Sequence, residues 1–513
     1  AVVAGVSFAG AGRDRSGEHR LHVQDGLGIL EMRIREAEIS TFAADVSRRG
    51  LPVVVRAEDN ALVSRWAAPQ KWANGGLARF LHANGKDNDA TSAEGEEDGA
   101  GVVLRQVKVG SSPLFTLENP EKPLVAVDGV PLDLRRGEGQ KEESGSYRLE
   151  KMRSDTFFAL AADSRDTAES ITEEQEEEGP FVYYSGKLQW WGAELAADAS
   201  PTDPLQLQLV RYLLENGEES TESLSEVMVW TGSPFVTANA HYDRSHNMFV
   251  QVVGRKTWTL FPPSQWRTLY LYPALHASYH QSQVGYLDVD SPLATTSPAL
   301  HPLFRENKAI QVTLGPGDML YVPPYWIHEV RSLDFAVSIS VLSPSQEEAM
   351  AAEAEFLALL PFSEDGLLTR VSQDLVTRLT AVYIRMLLDV LYDEPSAFYE
   401  GAFGRMLLTT PQRIGALLLQ SRYRNVPLPN AAVGVECEDL RQSDIPRPRS
   451  MPGLLHEDER LYERMFEHAK EVARHYLTLP DGIRETCLAD ALEQLAQRAV
   501  HVEWVKPFFQ VCF

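Results

Sequence analysis

Two stretches hold the residues whose types and spacing could do chemistry. The first, 237–263, reads T-A-N-A-H-Y-D-R-S-H-N-M-F-V-Q-V-V-G-R-K-T-W-T-L-F-P-P, and the second, 315–328, reads G-P-G-D-M-L-Y-V-P-P-Y-W-I-H. His241 and Asp243 are two residues apart at the head of an apolar, β-branched run, so a strand there projects both from one face. His328 follows another apolar strand, reached through a Gly-Pro-Gly-Asp turn. Two imidazoles and one carboxylate form the facial ligand set that leaves positions open on Fe(II) for a cosubstrate and O2. A His-x-Asp tripeptide alone is more often a surface hydrogen bond; the flanking strands and a following cation favour the metal. That cation, Lys256, opens the strand K-T-W-T-L-F after the Gly254-Arg255 turn. 2-Oxoglutarate, which chelates iron through its keto acid end, needs such a charge for its distal carboxylate.

The elements that must position these groups follow from periodicity. Strands are predicted at 51–56, 102–109, 124–132, 181–186, 227–230, 310–314 and 335–341, the first led in by Pro52. Helices are predicted at 29–47 and 204–216, after an irregular start at 1–27. Trp66 and Trp72 flank a short helical piece as packing residues. Polar, acidic insertions at 85–100, 134–147 and 163–179 lack the apolar residues that offset ordering entropy and read as loops. From 347 the pattern turns helical, at 348–360, 367–392, 411–421, 457–477 and 484–500, with a Pro- and Arg-rich break at 426–453. His276, His280 and His301 have no ligand-like pairing and read as structural or solvated. Glu329 is expected to face away from a metal held by His328.

Composition bounds the function. The chain has 513 residues, enough for two to four domains, with 44% hydrophobic residues and a formal net charge of −25. Such acidity weighs against sequence-independent nucleic-acid binding, which needs basic surface, and more easily accommodates basic partners or peptides, in keeping with a protein or peptide substrate. Three cysteines, Cys437, Cys487 and Cys512, give no disulfide framework or zinc cluster. A reducing compartment, cytoplasmic or nuclear, is expected. No apolar run has the length of a membrane span.

The pattern H-Y-D-x-x-x-N-x-x-x-Q-[IV]-x-G-x-K-x-x-x-L-F-P-P, followed by G-P-G-D-[MV]-L-Y-[IV]-P-x-Y-W-x-H, resembles the JmjC (cupin-like) Fe(II)/2-oxoglutarate oxygenases, within them the factor-inhibiting-HIF type of protein hydroxylase. The match covers about 220–345. It implies a mainly β double-stranded β-helix (jelly-roll) core at 181–345, an α/β lead-in at 28–180 and a helical C-terminal domain at 346–513. It also implies that His241, Asp243 and His328 hold Fe(II) and that Lys256 anchors 2-oxoglutarate. Tyr183 (or Tyr184, facing the other way), Thr237 and Asn247 would assist. The implied reaction consumes O2, releases succinate and CO2, and hydroxylates a protein side chain. Lysine demethylation, tRNA-base hydroxylation and a catalytically weak binding scaffold are the alternatives. Two positions depart from the resemblance. Ala238 stands three before His241, where a threonine is common and Thr237 is one residue off. Leu342 stands where an asparagine is typical. Relatives dimerise through C-terminal helices; packing of those helices on the chain's own barrel is the other expectation.

Overall fold

The computed structural model describes residues 20–24, 27–32, 50–84, 102–117, 147–163, 180–199, 226–284, 301–362, 373–395 and 456–499, apart from single positions within them, together with 398, 402, 508 and 509. The predicted strand at 124–132, the predicted helices at 204–216 and 411–421, and nearly all of the three polar insertions lie outside these residues.

Fifteen strands form two sheets. In chain order they are β1 (Arg20–Gln24), β2 (Leu27–Glu31), β3 (Val53–Val55), β4 (Val103–Gly110), β5 (Leu114–Phe115), β6 (Arg148–Arg153), β7 (Phe181–Lys187), β8 (Glu226–Gly232), β9 (Thr237–Tyr242) and β10 (His246–Val253). There follow β11 (Lys256–Phe261), β12 (Ile310–Leu314), β13 (Met319–Val322), β14 (Ile327–Ser332) and β15 (Ala336–Ser343). The large sheet has the order β1-β2-β3-β13-β10-β15-β8-β7-β4-β6 and the small one β12-β11-β14-β9-β5. The alternation of β10–β15 makes this a sandwich: Phe249, Leu320 and Val54 from the large sheet meet Trp258, Leu260 and Val312 from the small one in a single core.

Among the described residues, the longer helices on the outer faces are α1 (Gly76–Asn84), α2 (Ser154–Asp163), α3 (Gln346–Leu359), α4 (Gln373–Leu391), α5 (His456–Tyr476) and α6 (Asp481–Ala499). Trp66, Trp72, Leu77, Leu81 and Phe157 pack on the outer face of the large sheet through Val182, Val229, Met248 and Ile339. The C-terminal helices pack on Tyr242, Phe261, Trp266 and Ile327 of the small-sheet side. The result is a mainly β core with helices on both sides, and the apolar faces of the C-terminal helices close on their own barrel. Close approach requires Gly482 at the start of α6, because a Cβ there would lie 2.5 Å from the Ser264 backbone nitrogen.

Two expectations fail at the N-terminus. Residues 20–24, inside the stretch read as irregular, form β1, and Ile29 to Glu31, read as the start of a helix, form β2. The reason is tertiary: β2 pairs with β1 and runs parallel to β3, with Leu30 opposite Val53. A five-residue strand beside a longer stretch of helical spacing leaves little periodicity of its own.

Candidate metal centre

His241 is the last residue but one of β9 and His328 the second of β14, and the two are direct partners across the ladder. Asp243 lies just past β9, in the turn to β10, where its carbonyl accepts from the Tyr325 amide at 2.7 Å. The ligand atoms of His241, Asp243 and His328 all lie within 4.8 Å of one another. His328 is buried at 2% exposure, while the Asp243 side chain keeps 32%, so the cluster is open on the carboxylate side.

The tautomers of both histidines follow from their neighbours. His241 Nδ1 lies 2.7 Å from the Asn239 carbonyl and His328 Nδ1 lies 2.9 Å from the Trp326 carbonyl. A carbonyl only accepts, so each Nδ1 carries the proton and each Nε2 presents a lone pair to the centre. Trp258 stacks on the His328 ring at 5.1 Å and fixes its plane. Burial, reinforced by the neighbouring His241, pushes the His328 imidazole down to about 4. It is neutral near pH 7, as ligation requires. Asn247 donates to Asp243 Oδ2 at 3.3 Å, and its own Oδ1 is buried without a partner. It holds the carboxylate from behind.

Lys256 opens β11 after a turn in which Gly254 has φ +69°; a Cβ there would lie 2.2 Å from the Phe335 carbonyl oxygen. The lysine is 2% exposed, donates to Ser338 Oγ at 2.8 Å and lies 5.5 Å from the Phe249 ring centroid. Among the described residues no carboxylate pairs with it, and burial lowers its ammonium to about 7. A buried cation lacking a counterion is costly, and a ligand carboxylate would offset that cost.

The remaining assignments divide. Tyr183 and Tyr184 face opposite sides as alternation requires; Tyr184 belongs to the outer core, whereas Tyr183 stacks on Trp230 and packs with Phe115, Phe181, Phe235 and Val236. Thr237 is not brought to the site. It pairs with Arg331, and its hydroxyl donates to the Phe235 carbonyl at 2.9 Å. The reason is a bulge: His241 opposes His328 but Ala238 opposes Val330, so three steps on β9 match two on β14. This turns Ala238, not Thr237, to the face of His328. Leu342 lies opposite Asn247 across β10 and β15, so an apolar side chain faces the amide there. Glu329 turns to the outer face of the small sheet, where it is buried. His280 and His301 pack on Tyr242 and Tyr270, and His276 stacks on Tyr272; all three are structural.

The brace behind the ligands was not foreseen from residue spacing. Tyr242, between His241 and Asp243, donates to Asp490 of α6 at 3.4 Å and stacks on Tyr325 at 5.3 Å. Ser345 caps α3 by accepting from the Glu348 amide at 3.0 Å and donates to the Arg244 carbonyl at 2.6 Å. Arg244 itself meets Glu355 at 3.4 Å. The only signal available was the order Ser-x-x-Glu at 345–348, which marks a helix start but not where it docks.

A jelly-roll sandwich carrying a His-x-Asp…His cluster compatible with a metal, beside a buried lysine, defines a protein of the cupin type. The chain belongs to the cupin-like domain family, whose model matches residues 39–342, more than half of the chain. Its relatives include JmjC domain-containing protein D of Dictyostelium discoideum, 32% identical over 125 residues, which are 24% of this chain and 26% of that protein. HSPB1-associated protein 1 of Homo sapiens is 37% identical over 144 residues, 27% of this chain and 26% of that protein. Lysine-specific demethylase JMJ31 of Arabidopsis thaliana is 30% identical over 119 residues, 23% of this chain and 21% of that protein. These matches span about a quarter of the relatives' length. They place the chain among the JmjC cupin-like proteins, a family that typically uses Fe(II) and 2-oxoglutarate. No helix among the described residues is long and apolar enough to cross a membrane.

Proposed function

We propose that the chain is an Fe(II)- and 2-oxoglutarate-dependent oxygenase that hydroxylates a side chain of a protein or peptide. The observation that carries the reading is the pairing of a compact His241–Asp243–His328 cluster with Lys256, a buried lysine that meets no carboxylate among the described residues. When bound, iron with 2-oxoglutarate would supply oxidative decarboxylation and hydrogen abstraction. The chain's residues do the rest. His241 and His328 present Nε2 to the metal, Asp243 adds charge, and Asn247 holds its carboxylate. Lys256 and Ser338 take the distal carboxylate of the cosubstrate, and Phe249 and Trp258 keep water from that end.

Lysine demethylation is the second reading, supported by a relative of that name. Net charge weighs against a tRNA substrate. The test is anaerobic titration of the apo-protein with Fe(II) and 2-oxoglutarate, followed by the visible charge-transfer band of the chelate. The band is expected in wild type, weakened in Lys256→Ala and lost in His241→Ala. A folded wild-type protein with no band would overturn the oxygenase reading in favour of a binding scaffold.

A further inference from the structure

A second buried lysine, on the inner face of the large sheet, repeats the surroundings of Lys256 on the facing small sheet. Lys108 of β4 is 8% exposed, donates to Ser185 Oγ at 2.9 Å and lies 5.2 Å from the Tyr183 ring centroid. Lys256 likewise has one serine hydroxyl and one aromatic ring. Neither lysine meets a carboxylate among the described residues, in a chain with 73 acidic residues. An ammonium has three donors, and Ser185 satisfies one of those of Lys108.

Register places the two lysines relative to each other. Ser185 pairs with Trp230 and Trp230 with Ser338, the residue that Lys256 reaches. Two strand spacings therefore separate the serines, roughly 10 Å. 2-Oxoglutarate has one distal carboxylate for Lys256 and none to spare for a cation so far away. Outward, Lys108 pairs with Leu149 of β6, which is 57% exposed, so this face runs from the closed sandwich to solvent. A chain laid along it would pass Lys108 on its way to the metal. Tyr183, whose hydroxyl makes no hydrogen bond among the described residues, lies beside that path.

We propose that Lys108 and Ser185 form a carboxylate-binding subsite that selects an acidic side chain of the polypeptide substrate. The proposal rests on the oxygenase reading but is tested without turnover. Full-length protein loaded with Mn(II) and 2-oxoglutarate is equilibrated with two degenerate peptide libraries that differ only in one position, fixed as Glu or as Gln. Retention is read by mass spectrometry. Wild type is expected to retain the Glu library roughly tenfold better, the value of one charged hydrogen bond. Lys108→Met should abolish the preference and leave 2-oxoglutarate affinity unchanged; Lys108→Arg should keep part of it. Lys108→Met should also raise Tm by about 2 °C, because an unpaired buried charge is replaced by an apolar group. Equal retention of both libraries by wild type overturns the proposal, as does a preference that survives in Lys108→Met. A fall in Tm would make Lys108 a structural lysine, and weakened 2-oxoglutarate binding would assign it to the cosubstrate. Failure of the metal titration itself would instead strike the oxygenase reading.

Discussion

The His241–Asp243–His328 cluster and the two buried lysines line the interior between the two sheets, yet they are held in opposite ways. His241, Asp243 and His328 each receive a second contact: Asn239 and Trp326 carbonyls on the imidazoles, Asn247 on the carboxylate. Behind them Tyr242 and Arg244 are tied to α6 and α3. Lys256 and Lys108 have a serine hydroxyl and an aromatic face apiece. On the proposed reading, the ligands of a resident metal are locked before it arrives, because misplacement costs affinity. The groups that meet exchangeable anions are left under-satisfied, because their missing partner is the ligand. On this reading, second contacts to the ligand side chains on one side and unmet ammonium donors on the other separate what stays from what turns over.

Breaking the locked side should have the largest effect. His328→Ala is expected to weaken Fe(II) binding at least roughly 100-fold and abolish turnover, read by equilibrium dialysis and succinate release. Next, Lys256→Ala should raise the Kd for 2-oxoglutarate by about 30- to 100-fold with metal affinity unchanged. A parallel loss of metal would show that the two regions are not separable. Asp490→Ala, acting through Tyr242, should cost about tenfold in metal affinity, and calorimetry finding no change would sink the brace.

Titration of Lys256 sharpens the contrast further. Its folded-state value near 7 lies below the ordinary 10.5, so between these values the unfolded chain binds a proton that the folded chain has released. Stability of the ligand-free protein should therefore rise with pH across that window. Affinity for 2-oxoglutarate, which needs the ammonium, should fall as pH passes 7. Lys256→Met should flatten both profiles. The smallest effect is expected at β9. Thr237→Ala should leave 2-oxoglutarate affinity unaltered, whereas Ala238→Thr should strengthen it a few-fold by adding a hydroxyl on the face of His328. The reverse ranking would show that the bulge does not set this register.

The sequence made the metal ligands and Lys256 legible because their signal is local: a period-two spacing, a glycine turn and a strand start. The β core and helical C-terminal region were legible for the same reason. What escaped depended on distant partners. β2 carried the spacing of a helix until β3 paired with it. Thr237 seemed near enough to serve until a bulge exchanged its face with that of Ala238. Lys108 lies between Val107 and Val109, a pattern that equally describes a lysine pointing to water. Only the neighbouring strand β7 reveals that it points inward.

The brace from α6 also sets an order of events during synthesis. Tyr242 and Asp490 are 248 residues apart, so all three ligands leave the ribosome long before the helix that steadies the turn between two of them. A nascent or truncated chain ending near residue 345 would carry the complete ligand set on an unsupported turn. On the proposed reading, stable metal loading is then a late step that follows completion of the C-terminal helices.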